Sequence, residues 1–307
     1  MQGQRTARVF GIPMDLGQQR RGVDMGPSAI RYADLNQVLT GLGLKVCDHG
    51  NLFVPQAEEM PREMADPSIG RAYYLPQVAA ICQEMYDTIT STLQPDEIGM
   101  FLGGDHSLSI GTVSAVLKLF GGEKVGVLWV DAHADMNSPH TSPSGNIHGM
   151  SVAALLGDGP SELTDIGYAG PKIQADQVAM VGIRNLDPDE RLKLKQSGIF
   201  IHTMREVDEL GMSLVAHRIL DHFANYDTIH VSLDLDSCDP TIAPGVGTPV
   251  NGGLSYREAH LLMEILADSG KVRTVDIVEV NPVLDNHNAT AEIAVELMAS
   301  LFGQRIL

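Results

Sequence analysis

Cysteine is scarce in this chain of 307 residues. Cys47, Cys82 and Cys238 lie far apart, are odd in number and form no CxxC pair, so no disulfide framework is expected and a reducing compartment is the default. Long apolar runs are missing too. No stretch approaches the roughly 18 apolar residues that a membrane helix needs, and the first residues, MQGQRTARVF, lack the apolar segment of a signal peptide. The expectation is a cytoplasmic protein that neither spans nor coats a membrane. Basic charge is the third shortage: 21 Lys and Arg against 39 Asp and Glu give a net charge of −18. Nucleic acid requires a basic footprint, so it is not an expected partner. An acidic field serves solubility, and it also draws in a small cation.

What is present reads as a globular α/β chain, with 44% hydrophobic and 20% charged residues. Eight short apolar runs read as strands, at 7–13, 44–50, 98–104, 125–131, 177–183, 199–203, 228–236 and 273–280. Most are apolar without alternation, the pattern of parallel strands buried on both faces. Between them, 28–43, 106–122, 207–224, 254–270 and 289–303 carry apolar residues at spacings of three and four, and all but 207–224 end in glycine. Strand–helix alternation of this kind predicts a parallel sheet with helices on both sides. The acidic, proline-containing stretch 54–69 is expected to be a long surface loop. With no interior linker or repeat, residues 1–307 are expected to form a single domain.

Ligands of open parallel sheets collect at the carboxyl ends of the strands. Asp105 and His106 follow the third run in GGDHS. Asp131, His133 and Asp135 follow the fourth in DAHAD, Asp234, Asp236 and Asp239 follow the seventh in DLDSCDP, and Glu279 ends the eighth. Each piece alone has a plainer explanation as a polar loop, a helix cap or an Asx turn. Together they bring carboxylates to one sheet edge, where they repel unless a cation neutralises them. Asp131, His133 and Asp135 share one side of an extended chain and can converge if the backbone stays extended past the strand. A donor set of two imidazoles and several carboxylates suits Mn²⁺ better than a thiolate metal, and it offers more ligands than one ion needs. His148 lies in the Gly- and Ser-rich loop SPSGNIHGM, where it can cover such a site and move protons near neutral pH. His49, His140, His202, His217, His222, His260 and His287 read as surface or structural, and His230 as core.

GGDHS, DAHADMN, SGNIHG, SLDLDSCDP and EVNP occur in this order, after GIPMDLGQQRRGVDMGPSAIR near the start. The set resembles the ureohydrolases, most closely the bacterial arginases, over essentially the whole chain. The resemblance implies a three-layer αβα sandwich around an eight-stranded, mainly parallel sheet, two Mn²⁺ ions per subunit and a homo-oligomer, trimer or hexamer. It implies one metal held by His106, Asp131, Asp135 and Asp234, and a second held by His133, Asp131, Asp234 and Asp236. The implied reaction is hydrolysis of L-arginine to L-ornithine and urea by a hydroxide between the metals. Asp236 would handle its proton, His148 would shuttle one to the leaving amine, and Glu279 would pair with the guanidinium. Asn137, Ser144 and Asn146 would meet the α-carboxylate, Asp187 and Glu190 the α-amino group, and Thr248 would line the guanidinium pocket.

Three residues depart from the family pattern. Ser237 and Cys238 stand where Gly and an apolar residue are common, and Asn185 stands where some relatives carry Asp. Cys238 is expected near the metals without ligating them. Two alternatives remain at this stage: a relative acting on agmatine or guanidinobutyrate, and a catalytically silent binding protein.

Overall fold

The structure, a computed structural model, describes residues 4–61 and 68–305. Its frame is one eight-stranded sheet made of β1 (Thr6–Ile12), β2 (Lys45–Asn51), β3 (Ile98–Gly103), β4 (Val125–Val130), β5 (Val178–Ile183), β6 (Phe200–Thr203), β7 (Thr228–Asp234) and β8 (Val272–Val278). The order across the sheet is β2-β1-β3-β8-β7-β4-β5-β6, and every pairing is parallel. All eight expected strands are present, with ends that differ by one or two residues. β7 stops at Asp234 because 235–237 tighten into a 3-10 turn. Among the described residues, no helix is long and apolar enough to cross a membrane.

Period-2 alternation divides the interior into two cores. Val9, Met100, Leu128, Val130, Val231 and Ile277 face one side, packed under the helices Met212–His222, Tyr256–Asp268 and Ala289–Leu301. Phe10, Phe101, Val127, Trp129 and Val278 face the other, under Leu75–Thr92 and Ser109–Phe120. β3, β4 and β5 are buried at every position, which explains their unbroken apolar runs. β7 and β8 differ. Their apolar residues line the first core, but His230, Ser232, Thr274 and Asp276 point to the second side and are still fully buried. Buried polar groups must find partners, and these find one another.

The helices depart from expectation in three places. Residues 28–43 form two short helices, Gly26–Tyr32 and Leu35–Gly41, broken where Asp34 adopts φ 61°. The pattern at 207–224 likewise splits at Gly211, which has φ 78°, into Met204–Leu210 and Met212–His222. Leu75–Thr92 was not among the expected helices. Its buried face (Leu75, Val78, Ile81, Cys82, Met85, Tyr86, Ile89) has helical spacing, and Pro76 sits in its first turn. The described parts of the expected loop 54–69 are loop, with one short turn at Ala57–Glu59; residues 62–67 of that expectation lie outside the described residues.

Close packing generates a test. A Cβ at Gly126 of β4 would sit 2.6 Å from the ring of the fully buried Phe223, so Gly126→Ala is expected to cost about 1–3 kcal/mol through overpacking. In a Phe223→Leu background the same change should cost much less, because the two sites couple. Urea unfolding of the two singles and the double measures this, and equal costs in both backgrounds would show that the ring is not the obstacle.

Candidate metal centre and active site

The acidic residues converge because their strands are neighbours. β3, β8, β7 and β4 are adjacent in the sheet, so the segments after them meet at one edge although they are remote in sequence. Gly104 permits the first of these. A Cβ there would lie 1.7 Å from the Met14 carbonyl oxygen, so only glycine lets the loop after β1 cross so closely. Asp105 then donates its N–H to that carbonyl at 2.7 Å, and its carboxylate accepts from the N–H groups of Gly17 (2.8 Å) and Ser107 (3.0 Å). Asp105 is thus a cap and loop clamp that presents His106.

The His106 Nδ1 lies 3.1 Å from Asp131, 3.2 Å from Asp135 and 3.2 Å from Asp234. Its ring stacks on Trp129 with centroids 4.0 Å apart, and the indole N–H donates to Asp131 Oδ2 at 2.9 Å. On the other side of Asp131, His133 Nδ1 lies 3.4 Å from Asp131 Oδ1 and 3.1 Å from Asp236 Oδ2. Two groups able to hold an ion result: His106, Asp131 and Asp135, and Asp131, His133 and Asp236. They share Asp131, one of whose oxygens faces each imidazole. Asp234 joins through its Oδ2 toward His106, while its Oδ1 accepts the Asp236 N–H at 2.7 Å.

The backbone reaches this arrangement differently from the sequence expectation. The chain does not stay extended after β4. It bends at 131–133, and Asp135 adopts φ 51°. That conformation is held by the N–H groups of Val152 and Ala153 on the Asp135 carbonyl, at 3.0 and 3.2 Å. Glu279, at the end of β8, adopts φ 66° and is held by its N–H on the Gly104 carbonyl at 2.8 Å. A left-handed non-glycine residue costs about 1–3 kcal/mol and persists only where its surroundings enforce it.

Electrostatics favour a cation here. Asp131, Asp135, Asp234 and Asp236 are each at most 5% exposed. Burial and neighbouring negative charge push the carboxyls of Asp135 and Asp234 well above the ordinary range. Burial opposes ionisation of Asp131 as well, but the imidazoles of His106 and His133 beside it overcome this and lower its pKa. Burial disfavours the His106 imidazolium, yet the adjacent carboxylates of Asp131 and Asp135 push its pKa up to about 9. His106 Nδ1 and Asp135 Oδ2 are buried without any hydrogen-bond partner. Such atoms, among carboxylates and with no thiolate in either group, fit hard divalent ions. The Cys238 thiol is buried just behind Asp236; burial pushes it up to about 12, and it joins neither group.

The groups open on a polar cavity of about 190 Å³ lined by His133, Asp135, Asp234, Asn137, Ser144, Asn146, His148, Asp187, Glu190 and Thr248. Ten of the fourteen sequence-predicted site residues thus line it; the other four, His106, Asp131, Asp236 and Glu279, do not. Asp236 and Glu279 stand just behind the lining. Asp236 accepts from the Thr248 hydroxyl at 2.8 Å. Glu279 accepts from the His106 N–H at 3.0 Å and lies 3.0 Å from His148 Nδ1. Burial opposes protonation of His148, but Glu279 and then Asp105 outweigh it and raise its pKa. Both Glu190 oxygens are occupied by N–H groups, those of Met136 (3.0 Å) and Asp187 (3.2 Å), so Glu190 fixes the wall more than it offers a free acceptor. Asn185 lies 3.5 Å from His133 Nε2.

Two participants escaped sequence analysis. Gln18, after β1, donates to Glu279 Oε2 at 3.0 Å. Arg184, after β5, donates to the carbonyls of Asp236 and Val250 at 2.7 Å and of Ser237 at 3.1 Å, clamping the turn that carries Asp236. Arg184 is marked in the sequence only by its place just after a strand, and Gln18 only by lying in the segment 11–31 that carries the family resemblance.

Comparison with known proteins agrees with this geometry. The Arginase family model matches residues 5–303. An arginase of Bacillus caldovelox is 47% identical over 97% of this chain and 98% of its own length, and an arginase of Bacillus subtilis is 46% identical over 99% of each. The crystal structure of the Bacillus caldovelox arginase superposes with a TM-score of 0.93 at 45% identity, covering 99% of this chain and 100% of that one. The chain therefore belongs to the arginase family and is a hydrolase acting on a guanidino carbon–nitrogen bond.

Proposed function

We propose that this chain is a single-domain, binuclear-manganese arginase that hydrolyses L-arginine to L-ornithine and urea. The observation that carries the reading is the pair of buried His/Asp groups sharing Asp131 at the floor of a polar cavity. His106, Asp131, Asp135 and Asp234 would hold one ion, and His133, Asp131, Asp234 and Asp236 the other. Bound divalent ions would supply Lewis acidity, offsetting the carboxylate charge and making a nucleophile from water near neutral pH.

The chain's own groups account for the remaining steps. Glu279 supplies a buried carboxylate for the guanidinium, a planar cation that carboxylates match well. Its orientation is set by Gln18 and by the His106 N–H. As the water oxygen bonds to the guanidinium carbon and the carbon–nitrogen bond to the ornithine amine breaks, Asp236 can take the released proton. Thr248 donates to Oδ2 of that carboxylate, and the Ala132 N–H to its Oδ1. His148, whose pKa is raised by Glu279, can deliver a proton to the departing amine. At the far wall, Asn137, Ser144 and Asn146 provide neutral polar groups for an α-carboxylate, and Asp187 provides a charge for an α-ammonium. Asn137 donates to Asp187 at 3.0 Å, joining the two sides of that wall. Agmatine lacks the carboxylate that this wall would read. The family resemblance also carries the proposal of a cytoplasmic homo-oligomer, trimer or hexamer.

Purified protein loaded with Mn²⁺ should release urea from L-arginine and little from agmatine. Equal or higher kcat/KM with agmatine would move the substrate assignment, and absence of urea from either, with two ions bound, would support a silent binding protein. His133→Asn is expected to weaken one ion and lower kcat by at least about 100-fold, since losing a direct ligand exceeds the 10–100-fold cost of losing a supporting partner; unchanged turnover would remove His133 from the site. Glu279→Gln should keep metal content near that of the parent while kcat/KM falls at least about tenfold, from the loss of a charge-assisted hydrogen bond worth about 1.5–3 kcal/mol. Metal analysis beside steady-state kinetics separates these outcomes.

A further inference from the structure

The buried polar residues of β7 and β8 converge on one carboxylate. Asp276 Oδ2 accepts from the hydroxyls of Ser109 (2.7 Å) and Thr112 (2.9 Å), and Ser232 Oγ (3.4 Å) and His230 Nε2 (3.2 Å) also face it. His230 Nδ1 is in turn 2.9 Å from the Thr274 hydroxyl. Every one of these residues is 0% exposed. None lines the cavity described above, so direct contact with substrate does not explain them. A buried charge held only for stability is a poor bargain against apolar packing, which raises the question of what it does.

The network ends on the site. Ser232 Oγ lies 2.8 Å from Nε2 of His106, the ring whose Nδ1 faces Asp131, Asp135 and Asp234. An ionised carboxylate only accepts. Asp276 therefore draws the Ser109 hydroxyl proton to itself, and the Ser232 proton either directly at 3.4 Å or through Ser109 Oγ, 3.2 Å from Ser232 Oγ. Ser232 then turns a lone pair to His106, so His106 Nε2 carries its proton and donates it. The Nδ1 is left with a free lone pair aimed at the carboxylates, the form in which an imidazole binds a metal. Trp129, stacked on the ring, fixes its plane but has no influence on which nitrogen is protonated.

We propose that Asp276 is a positioning residue which, acting through Ser232, sets the tautomer and orientation of His106 for metal binding; this rests on the metal reading given above. It is a hydroxyl-relayed form of the carboxylate–histidine–metal arrangement, in which loss of the supporting partner typically costs 10–100-fold in metal affinity. The effect centres on the ion on the His106 side. Among the described residues no hydrogen bond joins the Asp276 network to His133 or Asp236, so the ion on the His133 side feels it only through the shared Asp131 and Asp234.

Stepwise Mn²⁺ dissociation constants, from chelator competition on the full chain with free ion followed by electron paramagnetic resonance, test this without reference to turnover. Asp276→Asn and Ser232→Ala should each weaken one of the two ions by about 10–100-fold and the other, which shares Asp131 and Asp234, much less, with urea release recovering as Mn²⁺ is raised. Thr112→Val removes a donor to Asp276 but leaves the Ser232 link, and should lower the unfolding midpoint while keeping both constants. Parent-like constants in folded Asp276→Asn and Ser232→Ala would overturn the role of Asp276 alone, and so would equal weakening in Thr112→Val, which would mark a merely structural network. A parent that holds no Mn²⁺ would overturn the metal reading itself. If Asp276→Asn does not fold, Ser232→Ala decides.

Discussion

Repulsion between buried carboxylates is the constraint on which the rest of this structure depends. Asp131, Asp135, Asp234 and Asp236 are all within reach of two imidazoles and all but removed from water. Two like charges 4 Å apart interact by about 4 kcal/mol even at an effective dielectric of 20. The chain meets this partly by protonation, with Asp135 and Asp234 pushed towards their neutral forms and His106 towards its charged one. Divalent ions meet it more fully, because they replace a set of partial compensations by full ones. Ion binding and stability of this edge of the sheet are then linked: whatever binds the folded chain alone stabilises it.

The topology follows from the same demand. Carboxylates can be crowded only where rigid elements hold them, and the centre of a doubly covered sheet is the most rigid place the fold offers. The order β3-β8-β7-β4 puts the four contributing strands side by side, so each needs to deliver only one or two groups. Loops from the strands beyond, β1 and β5, close the flanks. The first places Gly17 and Gln18 on Asp105 and Glu279, and the second places Arg184 on the carbonyls around Asp236. The strain at Asp135 and Glu279 is tolerable because backbone hydrogen bonds from neighbouring segments hold both.

Legibility in the sequence follows the range of the cause. The strands could be read because burial on both faces makes each run apolar regardless of what covers it, as in VGVLWV. DAHAD could be read because neighbouring ligands contribute to the same site from one short segment. The breaks at Asp34 and Gly211 could not, because helical spacing continues across them while the backbone does not. Leu75–Thr92 has a clear buried stripe, but it begins beside a proline-containing loop that masks its start. Gln18 and Arg184 act on groups distant in the chain, and nothing local, not even the family segment that contains Gln18, ties them to Glu279 and Asp236. Asp276 was hidden more deeply. In RTVDIVEV it reads as one polar residue in a strand, and its meaning needs Ser109, Ser232 and His106 brought together by pairings across β3, β8 and β7.

The two halves of the site are built by different means, and this bears on how selectivity can change. The carboxylates and imidazoles sit at strand ends, with backbone N–H groups and other side chains on several of their atoms. The opposite wall comes from the loops around Asn137 to His148 and Asn185 to Glu190. There the Asn137–Asp187 hydrogen bond and the reciprocal cap between Asp187 and Glu190 provide the order. A substitution in those loops disturbs few contacts of the buried groups, whereas a shift of any strand end moves several carboxylates at once. The wall can thus be altered to read a different far end of a substrate while the chemistry at Asp131 is kept. The proposed preference for an α-amino acid therefore rests on a handful of loop residues, and the hydrolytic capacity rests on the whole sheet.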